Sequence, residues 1–171
     1  MTGVPAFSPT VLRAGGFVGF LTVAQLRANA CGPVPTQPGI YVVLRASVAP
    51  PRFLAHSPAG WFKGVDPTET VSVLQAKWVP DTPLMYVGKA TAGSQRRRHL
   101  RKRLAELMDF GAGRPIGHRG GRHLWQIEGS DGFRVAWRPA EDPTTAENDV
   151  LRAFLAAHGA LPFANIAGPR G

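Results

Sequence analysis

Pro38-Gly39-Ile40-Tyr41-Val42-Val43-Leu44 and, further along, Leu84-Met85-Tyr86-Val87-Gly88-Lys89-Ala90 are the two stretches whose reading decides the fold. Ile40 to Leu44 is a continuous apolar run, rich in β-branched and aromatic residues, and predicts a buried strand. Leu84 to Val87 predicts another, entered through the turn residues Asp81-Thr82-Pro83. The chain has only two tyrosines, and each falls in one of these runs.

Between the two lies a long irregular stretch. Residues 46 to 70 are crowded with proline, glycine and aromatic residues and keep no period. A loop of that length is more often functional or variable than structural. Val71 to Val79 returns to β-type composition, and across the proline turn it predicts a hairpin with Leu84 to Val87. Downstream, Ser94 to Asp109 is helical, with Leu100, Leu104, Leu107 and Met108 on one face and Gly111 and Gly113 at its end. A basic, glycine-rich loop follows over 114 to 122. His123 to Ile127 is compatible with helix or strand. Phe133 to Trp137 reads as a strand and Pro143 to His158 as a helix, stopped by Gly159 and Pro162. Upstream, the chain through Thr10 has no period. Thr22 to Ala30 predicts a short helix, with Thr22 and Gln25 at capping-box spacing.

The order strand, insertion, strand, helix, strand, helix predicts one α+β domain over 1–171. Its centre is a small antiparallel β-sheet of about three strands flanked by helices, the solution that buries both sheet faces. Residues 1–37 read as an N-terminal extension with a short helix, and 38–166 as the core, including an insertion at 46–80.

Composition narrows the function classes. An apolar fraction of 44%, with four Trp and nine Phe, supports a packed core and argues against general disorder. The lone Cys31 excludes an intramolecular disulfide framework and a multi-cysteine zinc site, and fits a reducing, cytoplasmic setting. No segment reaches the roughly 20 apolar residues of a membrane span, so no membrane association is expected. The formal charge of +9 favours a polyanionic partner, because neutralising phosphates releases counterions.

The ordered pair Gly39-Ile40-Tyr41 and Tyr86-Val87-Gly88 resembles the two signature strands of the GIY-YIG nuclease family. Three later features extend the likeness. Leu100-Arg101-Lys102-Arg103-Leu104 resembles the family's helix segment bearing a catalytic arginine, which points to Arg103. Independently, a helical wheel puts Arg103 at the edge of the apolar face, between Leu100 and Leu107. Arg96 lies on the same flank about two turns away, and the family's usual spacing from the second tyrosine selects it, so both remain candidates. Glu147 matches the metal-binding glutamate. It precedes Val150, Leu151 and Phe154 on the buried face, although Thr144-Thr145-Ala146-Glu147 also has capping-box form. Asn165 resembles the family's terminal asparagine.

This resemblance implies a metal-dependent endonuclease acting on DNA with Mg²⁺ or Mn²⁺. In it, Tyr41 or Tyr86 positions or activates water, Arg103 clamps the phosphate, Glu147 holds the metal, and Asn165 orients its neighbours. A phenol with an ordinary pKa near 10 is a poor base unless a cation favours phenolate, and Lys89 is a candidate for that cation. Arg96, Arg97 and Arg101 on the helix, with His118, Arg119 and Arg122 in the basic loop, are candidate nucleic-acid contacts. Leu107 is apolar where several family members carry His or Tyr, and the two tyrosine motifs stand unusually far apart. No appended DNA-recognition domain is evident, so specificity falls to the insertion, the basic loop or a protein partner. The alternative is a non-catalytic nucleic-acid-binding or protein-interaction module on the same fold, which needs only the arginines.

Overall fold

The computed structural model describes residues 6–92 and 98–171. Its centre is a four-stranded antiparallel sheet in the order β1-β4-β2-β3, formed by Val18–Thr22, Gly39–Leu44, Leu84–Ala90 and Arg134–Pro139 as β1 to β4 in chain order. Helices α1 (Pro9–Ala14), α2 (Val23–Ala28), α3 (Val71–Lys77), α4 (Leu100–Gly111) and α5 (Pro143–His158) surround it. A 3₁₀ segment, Arg119–Gln126, precedes β4.

β2 is buried along its whole length, as its unbroken apolar run predicts. Its alternate residues feed two cores. Tyr41 and Val43, with Met85, Tyr86 and Trp137, face α2, α4 and the 3₁₀ segment. Ile40 and Val42, with Val87 and Ala136, face Leu12 of α1 and Leu151 and Phe154 of α5. The result is an α+β layering with helices on both sheet faces. Among the described residues, no helix is long and apolar enough to cross a membrane.

Local expectations hold where sequence and packing agree. Thr22 and Gln25 form a reciprocal capping box at the start of α2, at 3.1 and 2.9 Å. The helix expected over Pro143 to His158 is α5, and it ends on Gly159 with φ 68°, the left-handed conformation glycine adopts at no steric cost. His123 to Ile127, open between helix and strand, belongs to the 3₁₀ segment except for Ile127, which bridges Phe53.

Four expectations need correction. Val71 to Val79 is not a strand: Val71–Lys77 is α3, with Thr70 at its N-cap position. Its valines are β-branched, but within α3 only Leu74 is fully buried, so one-sided helical packing overrides β propensity. The expected hairpin is therefore absent, and β3 pairs with β2 instead. The sheet has four strands rather than about three, because Val18–Thr22, interrupted by Gly19, pairs with β4 across a register shift. The start near Thr10, read as loose, carries α1, with Ser8 accepting a hydrogen bond from the Val11 N–H at 3.3 Å. The helix expected from Ser94 has its described start at Leu100. His99 caps it, its ring nitrogen accepting from the Lys102 N–H at 3.1 Å. Residues 94–97 lie outside the described residues.

Candidate active site

Tyr41 lies opposite Gly88 in the β2–β3 register, and Tyr86 opposite Val43. The two tyrosines are thus diagonal neighbours on one sheet face, with ring centroids 6.0 Å apart. Both motif glycines have a steric reason. A Cβ at Gly88 would overlap the Tyr41 ring, and one at Gly39 would overlap the β4 backbone and the Leu100 side chain. Tyr41 is fully buried and Tyr86 is 6% exposed.

The phenols are therefore held in the protonated form. Burial pushes the pKa of Tyr41 well up, Tyr86 beside it adds to that, and the Arg103 guanidinium pulls it down. For Tyr86 burial again dominates in the same direction, with Arg103 opposing. Lys89 does not fill the role of cation to a phenol. Alternation along β3 puts Lys89 on the face opposite Tyr86, where its ammonium meets the Glu147 carboxylate at 2.8 Å.

Glu147 has no capping role. The N-cap of α5 is Asp142, whose carboxylate accepts from the Thr145 N–H at 3.0 Å and from its hydroxyl at 2.6 Å. That leaves Glu147 free to turn inward, with its side chain 16% exposed. Its ion-pair partner lies on the sheet face opposite the tyrosines, and of the influences that raise their pKa values Glu147 is the weakest.

Arg103 emerges from the flank of α4 expected from the helical wheel, between buried Leu100 and Leu107. Its guanidinium donates to Glu106 at 3.0 Å, an i,i+3 pair. Burial works against its charge, but the neighbouring phenols and Glu106 outweigh that and leave its pKa raised.

Asn165 fixes the edge of the sheet. Its side-chain oxygen accepts from the Val87 N–H and its amide donates to the Val87 carbonyl, both at 2.9 Å, while the Ala164 N–H donates to the Met85 carbonyl at 2.8 Å. The C-terminal segment so occupies the open backbone groups of edge strand β3, the strand that carries Tyr86, Gly88 and Lys89.

The unexpected member is His118. Read as part of a phosphate-contacting loop, it is 1% exposed and lies with its Nε2 3.2 Å from the Tyr41 hydroxyl. Burial, and then Arg103, lower its pKa to about 3, so the ring is neutral at physiological pH. Its Nδ1 has no hydrogen-bond partner. Leu107, where the family resemblance implies a polar group, is fully buried and lies against Gly121 beside Tyr86. The imidazole at the tyrosine pair comes from the loop after α4 instead. No local pattern signals this, because His118 lies in the loop beyond the end of α4 and only the tertiary fold brings it in.

The remaining candidate contacts divide. Arg101 spends its guanidinium on the carbonyls of Val34 (2.7 Å) and Gly32 (3.1 Å), tying α4 to the segment before β2. Arg119 is exposed and Arg122 half-buried. Arg96 and Arg97 lie outside the described residues. Cys31 is buried, and burial pushes its thiol up to about 11, which leaves it without thiolate character.

Among the described residues no cluster of three or more His, Cys, Asp and Glu side chains is placed to hold a metal. A site with Glu147 as its only protein ligand still fits one kind of ion. The carboxylate is a hard oxygen donor that already faces a cation, and Mg²⁺ commonly uses one carboxylate and completes its shell with water and substrate phosphate oxygens. No protein-family model, curated protein or solved structure matches the chain.

Proposed function

We propose that this chain is a metal-dependent endonuclease of the GIY-YIG kind that hydrolyses phosphodiester bonds in DNA. The observation that supports this most is the tyrosine pair itself, one from each motif strand, with ring centroids 6.0 Å apart on one sheet face beside the α4 flank that carries Arg103. A phosphodiester is anionic, so its hydrolysis needs cations on the phosphate and a positioned water. Arg103 offers two parallel N–H donors to the phosphate oxygens, a geometry suited to charge that grows in the transition state. Tyr86, protonated, positions water or phosphate by donating its hydroxyl proton, while fully buried Tyr41 is held by its hydrogen bond to neutral His118 and packs behind Tyr86. Glu147 would hold Mg²⁺ or Mn²⁺, which would supply positive charge to the phosphate and its leaving oxygen. Lys89 balances the Glu147 carboxylate, and Asn165 keeps β3 in place.

One observation favours a second reading. Three of the candidate catalytic groups already have a protein partner: Tyr41 with His118, Arg103 with Glu106, and Glu147 with Lys89. A non-catalytic nucleic-acid-binding module needs no more than such a self-satisfied core beneath exposed arginines.

One assay separates the two. The purified protein is incubated with plasmid, branched and single-stranded DNA in Mg²⁺ or Mn²⁺, with EDTA and Glu147→Gln as controls. The nuclease reading expects cleavage that EDTA stops and that Glu147→Gln lowers by roughly a hundredfold or more, the several kcal/mol that a bound metal contributes. DNA retained without cleavage in either metal supports the second reading and rejects the first.

A further inference from the structure

The insertion between β2 and β3 is built as a wall, not as a loose flap. Fully buried Gln126 holds both its ends: the side-chain amide donates to the carbonyls of Leu54 (2.8 Å) and Glu69 (2.7 Å) and accepts from the Glu69 N–H (2.9 Å). The Gly60 N–H donates to the Phe110 carbonyl at 2.9 Å, tying the middle to α4. Beyond it, the Phe62 ring packs on Gly117, the residue before His118, and lines a small cavity together with Arg119.

At the tip the chain reverses through Lys63 and Gly64, with φ of 52° and 72°, while Phe62 and Val65 bridge antiparallel. Positive φ at both central residues is the condition for the tight hairpin turn whose twist matches its strands. The turn anchors Phe62 inward and leaves Trp61 outside, 57% exposed, whereas Trp125 and Trp137 are buried and Trp78 is half-buried. A rigidly mounted indole in water is an unused contact surface.

Arg119, which lines the cavity beside Phe62, the residue after Trp61, belongs to a group of cations that form no ion pair with a carboxylate among the described residues. Arg122 donates to the Arg119 carbonyl at 3.3 Å, and the Lys77 ammonium lies 3.2 Å from the His123 ring nitrogen. After burial, the main influence on the Lys77 pKa is the Arg122 charge, and on the Arg122 pKa the Arg119 charge; each lowers it. Glu69 acts on Lys77 and Arg122 in the opposite sense but less than the cations do, so an anion seated beside them adds to a charge balance that the fold leaves positive.

We propose that Trp61 is a stacking platform for an unpaired base of a DNA strand whose phosphates lie along Arg119, Arg122 and Lys77. The proposal takes DNA as substrate from the nuclease reading and adds a preference for single-stranded or branched regions. Aromatic faces beside a positive track hold single strands without reading sequence, because every base offers a π-face. Charge selects this occupant over an uncharged protein surface. The chain carries +9, and none of the three cations forms an ion pair with a described carboxylate. Glu69 offsets Lys77 and Arg122 less than the neighbouring cations oppose them.

The test is equilibrium binding in EDTA, where no metal-dependent cleavage proceeds, using a short oligothymidylate and a blunt duplex. The oligothymidylate is expected to quench tryptophan fluorescence. Trp61→Ala should weaken its binding about tenfold while changing duplex affinity less than about twofold, and Trp61→Phe should keep most of the affinity. Equal oligothymidylate affinity in wild type and Trp61→Ala, or equal losses on both DNAs, overturns the proposal. Cleavage in Mg²⁺ is read separately. Cleavage with no Trp61 dependence of binding removes the platform alone, whereas Trp61-dependent binding with no cleavage removes the nuclease reading alone.

Discussion

Gly88→Ala is expected to destabilise the fold by about 3 kcal/mol or more, at the upper end of what one added methyl costs in a packed core. The added Cβ falls on the Tyr41 ring, meeting Cζ and the hydroxyl too closely and Cε2 at 2.8 Å. The ring has nowhere to go. It is fully buried, Tyr86 sits 6.0 Å away, Trp137 is its register partner on β4, and its hydroxyl is tied to His118. Backbone relief is equally blocked, because β3 is paired to β2 on one side and to Asn165 on the other. Denaturant unfolding of four variants, Tyr41→Val alone among them, checks this. Gly132→Ala, which meets nothing within 4 Å, should stay within about 0.5 kcal/mol of wild type. Gly88→Ala combined with Tyr41→Val should recover part of the loss, giving a coupling of about 1–3 kcal/mol. A Gly88→Ala protein as stable as wild type would falsify the claim that this glycine exists to seat the tyrosine.

That clash also shows how far the sequence could be read. Gly88 was legible as part of a motif, but its cause was not, since Tyr41 and Gly88 meet only through the β2–β3 register. β2, β3, β4 and α5 were legible because their hydrophobic pattern, turn residues and caps all agree. α3 was not, because three valines in Val71 to Val79 mimic strand composition while a single inward residue, Leu74, anchors the helix. β1 was hidden by Gly15, Gly16 and Gly19, which break its apolar run. In the candidate site, Arg103 could be placed from helical geometry, whereas its pairing with Glu106 came only with the structure. The Lys89–Glu147 and Tyr41–His118 pairs join elements distant in sequence, and no local rule produces them.

The buried histidines make stability sensitive to acid, and this is the second large effect. His118 is neutral in the fold with a pKa lowered to about 3, and His123, lowered to about 4 by burial and then by Lys77 and Arg122, is neutral too. In the unfolded chain each returns to an ordinary pKa near 6.5. Between those values the unfolded state binds protons that the folded state cannot, so folding weakens as pH falls. Stability is complete above about pH 6.5 and is lost progressively as pH drops towards the folded values. For His118 alone the loss reaches about 2 kcal/mol by pH 5. Two hydrogen-bonded carboxylates act outside this window. Hydrogen bonds from Thr68 and Thr145 hold the pKa values of Asp66 and Asp142 below the ordinary carboxyl value, so their contributions fade only at lower pH. Urea unfolding at pH 7, 6 and 5 should show the decline, and His118→Gln, which keeps a hydrogen-bond partner for Tyr41 but does not titrate, should flatten it. A slope that persists unchanged in His118→Gln assigns the effect elsewhere. A flat profile in wild type means the ring reaches water on protonation, and the pocket that orients Tyr41 is then open enough for a substrate phosphate to enter.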